Sequence, residues 1–258
     1  IIKWLLFGTI DFDFISESLL PEQIRSTDRK LKVGEMEYDA VIIPDCLTIR
    51  NTTLDTLKRF NKSGGRVIFA GGCPKYIDAA PSDRAQELYE NSICVPYDKI
   101  SVLEALEDFR EVEIKDSNGS PTENLIYNMR IDNNCSWLFI AHGAKEENVS
   151  TEDTSVQNIT IYISGEYSPV LYDTLSGEIC EIPYAYKNGK TVIEYALYRN
   201  DSILLKLTEE RGTGVEKVSE KVCAPSQTIR FTDKVEYKRC EPNVLLLDRA
   251  EYSLNGEP

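Results

Sequence analysis

Ala40-Val41-Ile42-Ile43-Pro44-Asp45, then Thr52-Thr53-Leu54-Asp55-Thr56-Leu57-Lys58-Arg59-Phe60, then Gly64-Gly65-Arg66-Val67-Ile68-Phe69-Ala70-Gly71-Gly72 is the stretch that decides the fold. It reads as strand, helix, strand: one βαβ unit of an α/β domain. The first strand is apolar throughout, as expected where helices cover both faces of a parallel sheet. Thr52 with Asp55 three residues on is a capping-box pattern with Asp in place of Glu or Gln. Gly64 stands where a helix C-cap glycine belongs. Sheets of this kind bind ligands just beyond the carboxyl ends of their strands. Those ends make Asp45, Cys46, Gly72 and Cys73 the candidate ligand-binding residues.

Working outward, residues 2–7 read as the tail of an apolar helix and residues 16–20 as a helical turn stopped before Pro21. Residues 23–26 and 30–33 read as short strands. A helix is predicted over 82–89, a buried strand over 93–95 and a third helix over 101–109, where Val102, Leu103, Leu106 and Phe109 keep helical spacing. Near residue 110 the apolar period changes from 3.6 to 2. Leu125-x-Tyr127-x-Met129-x-Ile131, Trp137 to Ala141, Ile159-x-Ile161-x-Ile163 and Ile203-Leu204-Leu205-x-Leu207 are short strands, with turn residues such as Ser176-Gly177 and Asn188-Gly189 between such runs. That pattern belongs to an antiparallel β-sandwich. The predicted fold class is therefore an α/β, Rossmann-like layer over residues 1–110 followed by an antiparallel β-sandwich over 111–210. Residues 211–258 read as a linker and the start of a further β region, with a polar loop expected at 142–157.

The 258 residues carry 29 Lys and Arg against 43 Asp and Glu, a net charge of −14. The acid is concentrated in residues 111–210, with 17 acidic and 7 basic side chains. No basic stripe is present for nucleic acid or an anionic membrane. No apolar run approaches the roughly 20 residues that cross a bilayer as a helix. The seven cysteines are scattered, without a C-x-x-C pair, which argues against a zinc knuckle and a disulfide framework and favours thiols in a reducing, cytoplasmic compartment. No cofactor or metal is expected. The chain opens Ile1-Ile2-Lys3 and reads as a piece of a longer protein.

Cys73 follows a strand, where class I glutamine amidotransferases place a nucleophile. Pro74 follows it directly, though, and a nucleophile elbow needs a helix there. The chain's one histidine, His142, lies in the β region. Asp11, Asp13 and Glu17 are close in sequence, as are Asp39 and Asp45, but a glycosidase needs two carboxylates about 5–9.5 Å apart across one cleft. The glycines at 64–65 and 71–72 form neither G-x-G-x-x-G nor a P-loop. Tyr172-Asp173-Thr174-x-Ser176-Gly177-Glu178 reads as strand, tight turn, strand. The 14 tyrosines suit either sugar-stacking platforms or sandwich core.

The Tyr38-Asp39-Ala40-Val41-Ile42-Ile43-Pro44 run, the helix after it and Gly64-Gly65-Arg66-Val67-Ile68-Phe69-Ala70-Gly71-Gly72-x-Pro74 resemble the amidotransferase-like accessory domain of large multidomain glycoside hydrolases, of the α-L-rhamnosidase (family 106) type and related family 2-like enzymes. Trp137 to Ile140, Ile159 to Ile161 and Leu171-Tyr172-Asp173-x-x-x-Gly177-Glu178 resemble the small sandwich that follows it. The resemblance implies a non-catalytic segment whose parent acts on plant-type polysaccharide or glycoside, with the catalytic carboxylates elsewhere, so no catalytic residue is assigned. Other domains of the same polypeptide, and carbohydrate, are the partners it implies. Entry in a helix implies an α/β sheet without its first strand. Residues 1–15 or a second copy of the chain are then expected to cover the edge at 40–44.

Overall fold

In a computed structural model of the chain, residues 1–143, 156–199, 201–209 and Lys238 are described. The β segments predicted between 228 and 254, and nearly all of the loop and linker before them, lie outside those residues. The elements are α1 (Ile2–Phe7), α2 (Leu20–Gln23), β1 (Ile24–Thr27), β2 (Leu31–Val33), β3 (Met36–Tyr38), β4 (Ala40–Pro44), β5 (Thr48–Ile49) and α3 (Asn51–Lys62). After them come β6 (Arg66–Ala70), β7 (Tyr76–Ile77), β8 (Ala80–Pro81), α4 (Gln86–Glu90), β9 (Ile93–Val95), α5 (Lys99–Ala105) and a 3₁₀ turn at Glu107–Phe109. The remainder is β10 (Val112–Asp116), β11 (Leu125–Asp132), β12 (Cys135–His142), β13 (Val156–Ser164), β14 (Tyr167–Tyr172), β15 (Ile179–Glu181), β16 (Ala185–Lys187), β17 (Lys190–Tyr198) and β18 (Ser202–Glu209).

β4, β6 and β9 form a parallel sheet with β6 in the middle, paired from Ala40↔Arg66 to Pro44↔Ala70 and from Ile68↔Ile93 to Ala70↔Val95. Successive side chains turn to opposite faces. Val67 and Phe69 pack with Leu54, Leu57 and Phe60 of α3 and Leu88 of α4. Ile68 and Ala70 pack with Leu5 of α1 and Val102 of α5. A strand apolar on both faces thus separates two helical layers. β1, β2 and β3 make an antiparallel meander whose Leu31 and Val33 join the α3 side. β4 pairs with β6 alone among the described residues. Ile1, Trp4 and Phe12 share a cluster with Ala40 and Ile42, so residues within 1–15 cover a face of β4, while its outer edge carries no strand.

Several local signals are overridden. Thr52 and Asp55 form no capping box: α3 starts at Asn51 with Arg50 as its N-cap and no side-chain cap bond. Distant carboxylates serve instead. Glu17 Oε2 accepts from Arg50 N (2.7 Å) and Asp78 Oδ1 from Asn51 N (3.2 Å), which suits the positive end of the helix. Asp55 is drawn to Arg84 (3.3 Å). Pro21 opens α2 rather than stopping a helix, because its fixed φ fits a first turn. The helix predicted over 82–89 begins only at Gln86, while Ser82 Oγ accepts the Arg84 amide. The helix predicted over 101–109 begins two residues earlier, at Lys99, capped by Asp98, whose Oδ1 accepts from Ser101 N (2.9 Å), and it tightens into a 3₁₀ turn after Ala105.

From Val112 the described strands pair antiparallel in two sheets, β10-β13-β17-β16 and β11-β12-β18-β14-β15. Their inner faces meet in one core that includes Ile114, Leu138, Ile140, Ile161, Ile193 and Leu205, each at most 2% exposed. At Asn188-Gly189 both residues take positive φ (52° and 74°), the type I′ geometry of a two-residue hairpin, here joining β16 to β17. Arg110 ties the start of this β region back to the N-terminus: its Nη1 donates to the Gly8 carbonyl and to Thr9 Oγ1 (2.8 Å).

Candidate functional site

The four ligand-binding candidates meet at the carboxyl end of the parallel sheet. Asp45 leaves β4 and its Oδ1 accepts the Gly72 amide (3.0 Å). Gly71, at φ 121°, is forced: a Cβ there would lie 2.6 Å from the Asp45 side chain. Gly72 is not, since its nearest neighbour would be Asp45 Oδ1 at 3.7 Å. The Gly71 carbonyl accepts from the Tyr89 hydroxyl (3.2 Å), and that ring stands edge-on to Phe69 with centroids 5.1 Å apart. Sequence reasoning missed Tyr89. It sits on α4, 18 residues from its acceptor, and no local pattern announces such a bond.

The described residues assemble no activated nucleophile at this end of the sheet. An unpaired amide after a strand could hold an oxyanion, but the Gly72 amide is engaged by the chain's own carboxylate. Burial pushes the Cys46 thiol up, helped by Glu17 and Asp45; burial also raises Cys73, helped by Cys94 and Glu90. Thiols so placed are protonated at neutral pH, whereas a nucleophilic cysteine needs its thiolate. His142 stands on β12 with Nδ1 3.4 Å from the Asp201 carbonyl, and does not join Cys73. A surface depression lined by Lys58, Asn61, Glu87 and Asn91 lies at the carboxyl end of α3, towards the opposite end of the sheet.

The carboxylates close in sequence are dispersed to separate tasks. Asp13 accepts from the Tyr38 hydroxyl (2.7 Å), Glu17 caps α3 and Asp39 pairs with Lys30 (3.0 Å). Asp173 Oδ1 accepts the Leu175 and Ser176 amides at 2.8 and 2.9 Å, so the Tyr172–Glu178 stretch is a turn device. Asp11 acts on Glu111. Burial raises Asp11, with Asp13 adding, and burial raises Glu111, with Asp11 and Asp39 adding and Lys30 opposing. Both hold protons more tightly folded than unfolded. Their contribution to stability is fully present below the unfolded carboxylate pKa of about 4 and is lost as pH rises through the raised folded values. Glu111→Gln should therefore melt above the wild type at pH 7, with the gap closing below about pH 4. Melting curves across pH check this; an equal gap at both ends would refute it.

The sandwich carries a second candidate surface. On β12, Leu138 and Ile140 enter the core, so Trp137 and Phe139 turn outward. Register sets Trp137 against Lys206 and Phe139 against Leu204, and Tyr172 flanks Leu204 from β14. Trp137 and Tyr172 meet edge-on at 5.0 Å, Lys206 Nζ lies 5.9 Å from the indole centroid, and Phe139 is 41% exposed.

No family model matches the sequence and no curated protein matches it. Solved structures do. Over 82% of the chain the fold matches rhamnosidase from Novosphingobium sp. PP1Y, with TM-score 0.58 and 14% identity. Over 81% it matches α-L-fucosidase isoenzyme 2 from Paenibacillus thiaminolyticus, with TM-score 0.50 and 12% identity. The fold is one that glycoside hydrolases carry. The chain spans 21% of that rhamnosidase and 44% of that fucosidase, so it corresponds to a part of each. Among the described residues no helix is long and apolar enough to cross a membrane, and no group of three or more His, Cys, Asp or Glu is arranged to hold a metal ion.

Proposed function

We propose that this chain is a non-catalytic, amidotransferase-like and sandwich segment of a multidomain glycoside hydrolase of the α-L-rhamnosidase type, acting on plant-type glycosides. The observation that carries the reading is the carboxyl end of the sheet, where Asp45 fills the Gly72 amide and two protonated thiols replace an activated nucleophile. The shared fold with a fifth of a rhamnosidase supports the parentage. Its partners are then the other domains of the same polypeptide, which it holds in register. A second reading, a carbohydrate-binding module, is favoured by the outward Trp137, Phe139 and Tyr172.

One experiment weighs these readings. The purified chain is assayed on aryl α-L-rhamnosides and on glutamine, then run through gels containing plant polysaccharide. Neither hydrolysis nor retardation is expected of a purely structural segment. Retardation abolished by Phe139→Ala would favour the binding module. Turnover abolished by Cys73→Ala would overturn the proposal in favour of a hydrolase in its own right.

A further inference from the structure

Beyond the last regular pair of β4 and β6, Pro44↔Ala70, the two segments do not separate. The Gly72 amide is held by Asp45, then Lys75 N and Tyr76 N both donate to the Leu47 carbonyl at 3.0 Å, and parallel pairing resumes at Thr48↔Tyr76. Cys46 lies between Asp45 and Leu47, and Cys73 lies between Gly72 and Lys75. Both cysteines thus lie in the irregular stretches held between those two sets of hydrogen bonds. Cys73 is near enough to be among the groups that raise the Cys46 thiol. Both side chains are half-buried and pack against the same core cluster, beside α3, so they occupy one side of the sheet end. Cys94 is the competing neighbour, but it is exposed and its Sγ donates to the Tyr89 carbonyl (3.1 Å).

We propose that Cys46 and Cys73 are a dithiol modification site that closes to an intramolecular disulfide with a small disulfide oxidant. With glutathione disulfide the thiolate of one cysteine attacks a glutathione sulfur, forming a mixed disulfide and releasing one glutathione. The second thiolate attacks the protein sulfur of that bond and releases the other glutathione. Two protein thiols and one glutathione disulfide become one protein disulfide and two glutathiones. Raised thiols make the first step slow at neutral pH and faster in mild alkali. Closure covalently rings α3 between the ends of β4 and β6.

The test treats the full chain with glutathione disulfide at alkaline pH, blocks remaining thiols with an alkylating agent and maps peptides without reduction. A Cys46–Cys73 linkage is expected, with a melting temperature raised by about 5 °C and restored by dithiothreitol. Cys94→Ser should leave the linkage intact, and Cys46→Ser should stop at the mixed disulfide on Cys73. A Cys73–Cys94 linkage, a bond between two chains, or glutathione resting on both cysteines of the wild-type chain would overturn the proposal. The wild-type map alone decides this, even if a variant fails to fold.

Discussion

Phe60→Ala should lower the stability of the α/β region by about 3–5 kcal/mol, the cost of removing a buried aromatic ring and leaving a cavity. Phe60 is 0% exposed at the end of α3, in the cluster that joins α3 to Val67 and Phe69 of β6. The site cannot collapse easily. The chain turns back over the ring at Gly64, where φ is 87°, and at Gly65, where a Cβ would lie 2.1 Å from the ring. Backbone therefore lies against one side of the ring and offers no side chain to fill the gap. Phe60→Leu, which keeps most of the apolar volume, should recover more than half of the loss. Chemical denaturation of the three chains measures both. A loss under about 1 kcal/mol for Phe60→Ala would mean that the C-terminal turn of α3 does not dock as described.

The same residues explain why the βαβ unit was legible in the sequence. Val41 to Ile43 and Val67 to Ala70 are apolar at consecutive positions because each strand feeds two cores, and Gly64 takes the positive φ expected of a helix stop. The sandwich was legible for a different reason. Burial on one face imposes a period of 2, as in Leu138 and Ile140 against Trp137 and Phe139, and the Asn188-Gly189 turn requires residues that tolerate positive φ. What failed was decided at a distance. Thr52 and Asp55 satisfy a local capping pattern, yet Glu17 and Asp78, 33 and 27 residues away from the amides they accept, reach the N-terminus of α3 first. Local propensity carries no information about such partners. β3 escaped notice because Met36-Glu37-Tyr38 is short, with two of its three residues exposed, and is a strand only because β2 pairs with it.

The candidate site was legible as a place but not as a device. Strand ends located Asp45, Cys46, Gly72 and Cys73 together. Nothing local distinguishes a carboxylate that would bind a ligand from one that turns back on the amide of its own chain. That difference resides in Gly71, whose φ of 121° lets the backbone pass within van der Waals reach of Asp45, and in Tyr89, which fixes the Gly71 carbonyl from another helix.

Ile161→Ala should lower the stability of the sandwich by about 2–5 kcal/mol. Ile161 is 0% exposed at the middle of β13, the strand paired on both sides, to Ile114 of β10 and to Ile193 of β17. Those two neighbours are themselves fully buried, so the row Ile114-Ile161-Ile193 forms one rib of the core, and shortening its middle member opens a void that neither flanking strand can enter without breaking its ladder. The clusters of Phe60 and Ile161 share no residue. The losses from Phe60→Ala and Ile161→Ala should therefore add to within about 0.5 kcal/mol in the double variant, as for sites without common partners. Hydrogen exchange locates the effect: Ile161→Ala should speed exchange at β13 and β17 and leave β6 unchanged. Equal acceleration at β6 would show instead that the two cores unfold as one cooperative body, and a double variant departing from additivity by more than about 1 kcal/mol would show that the two sites are coupled.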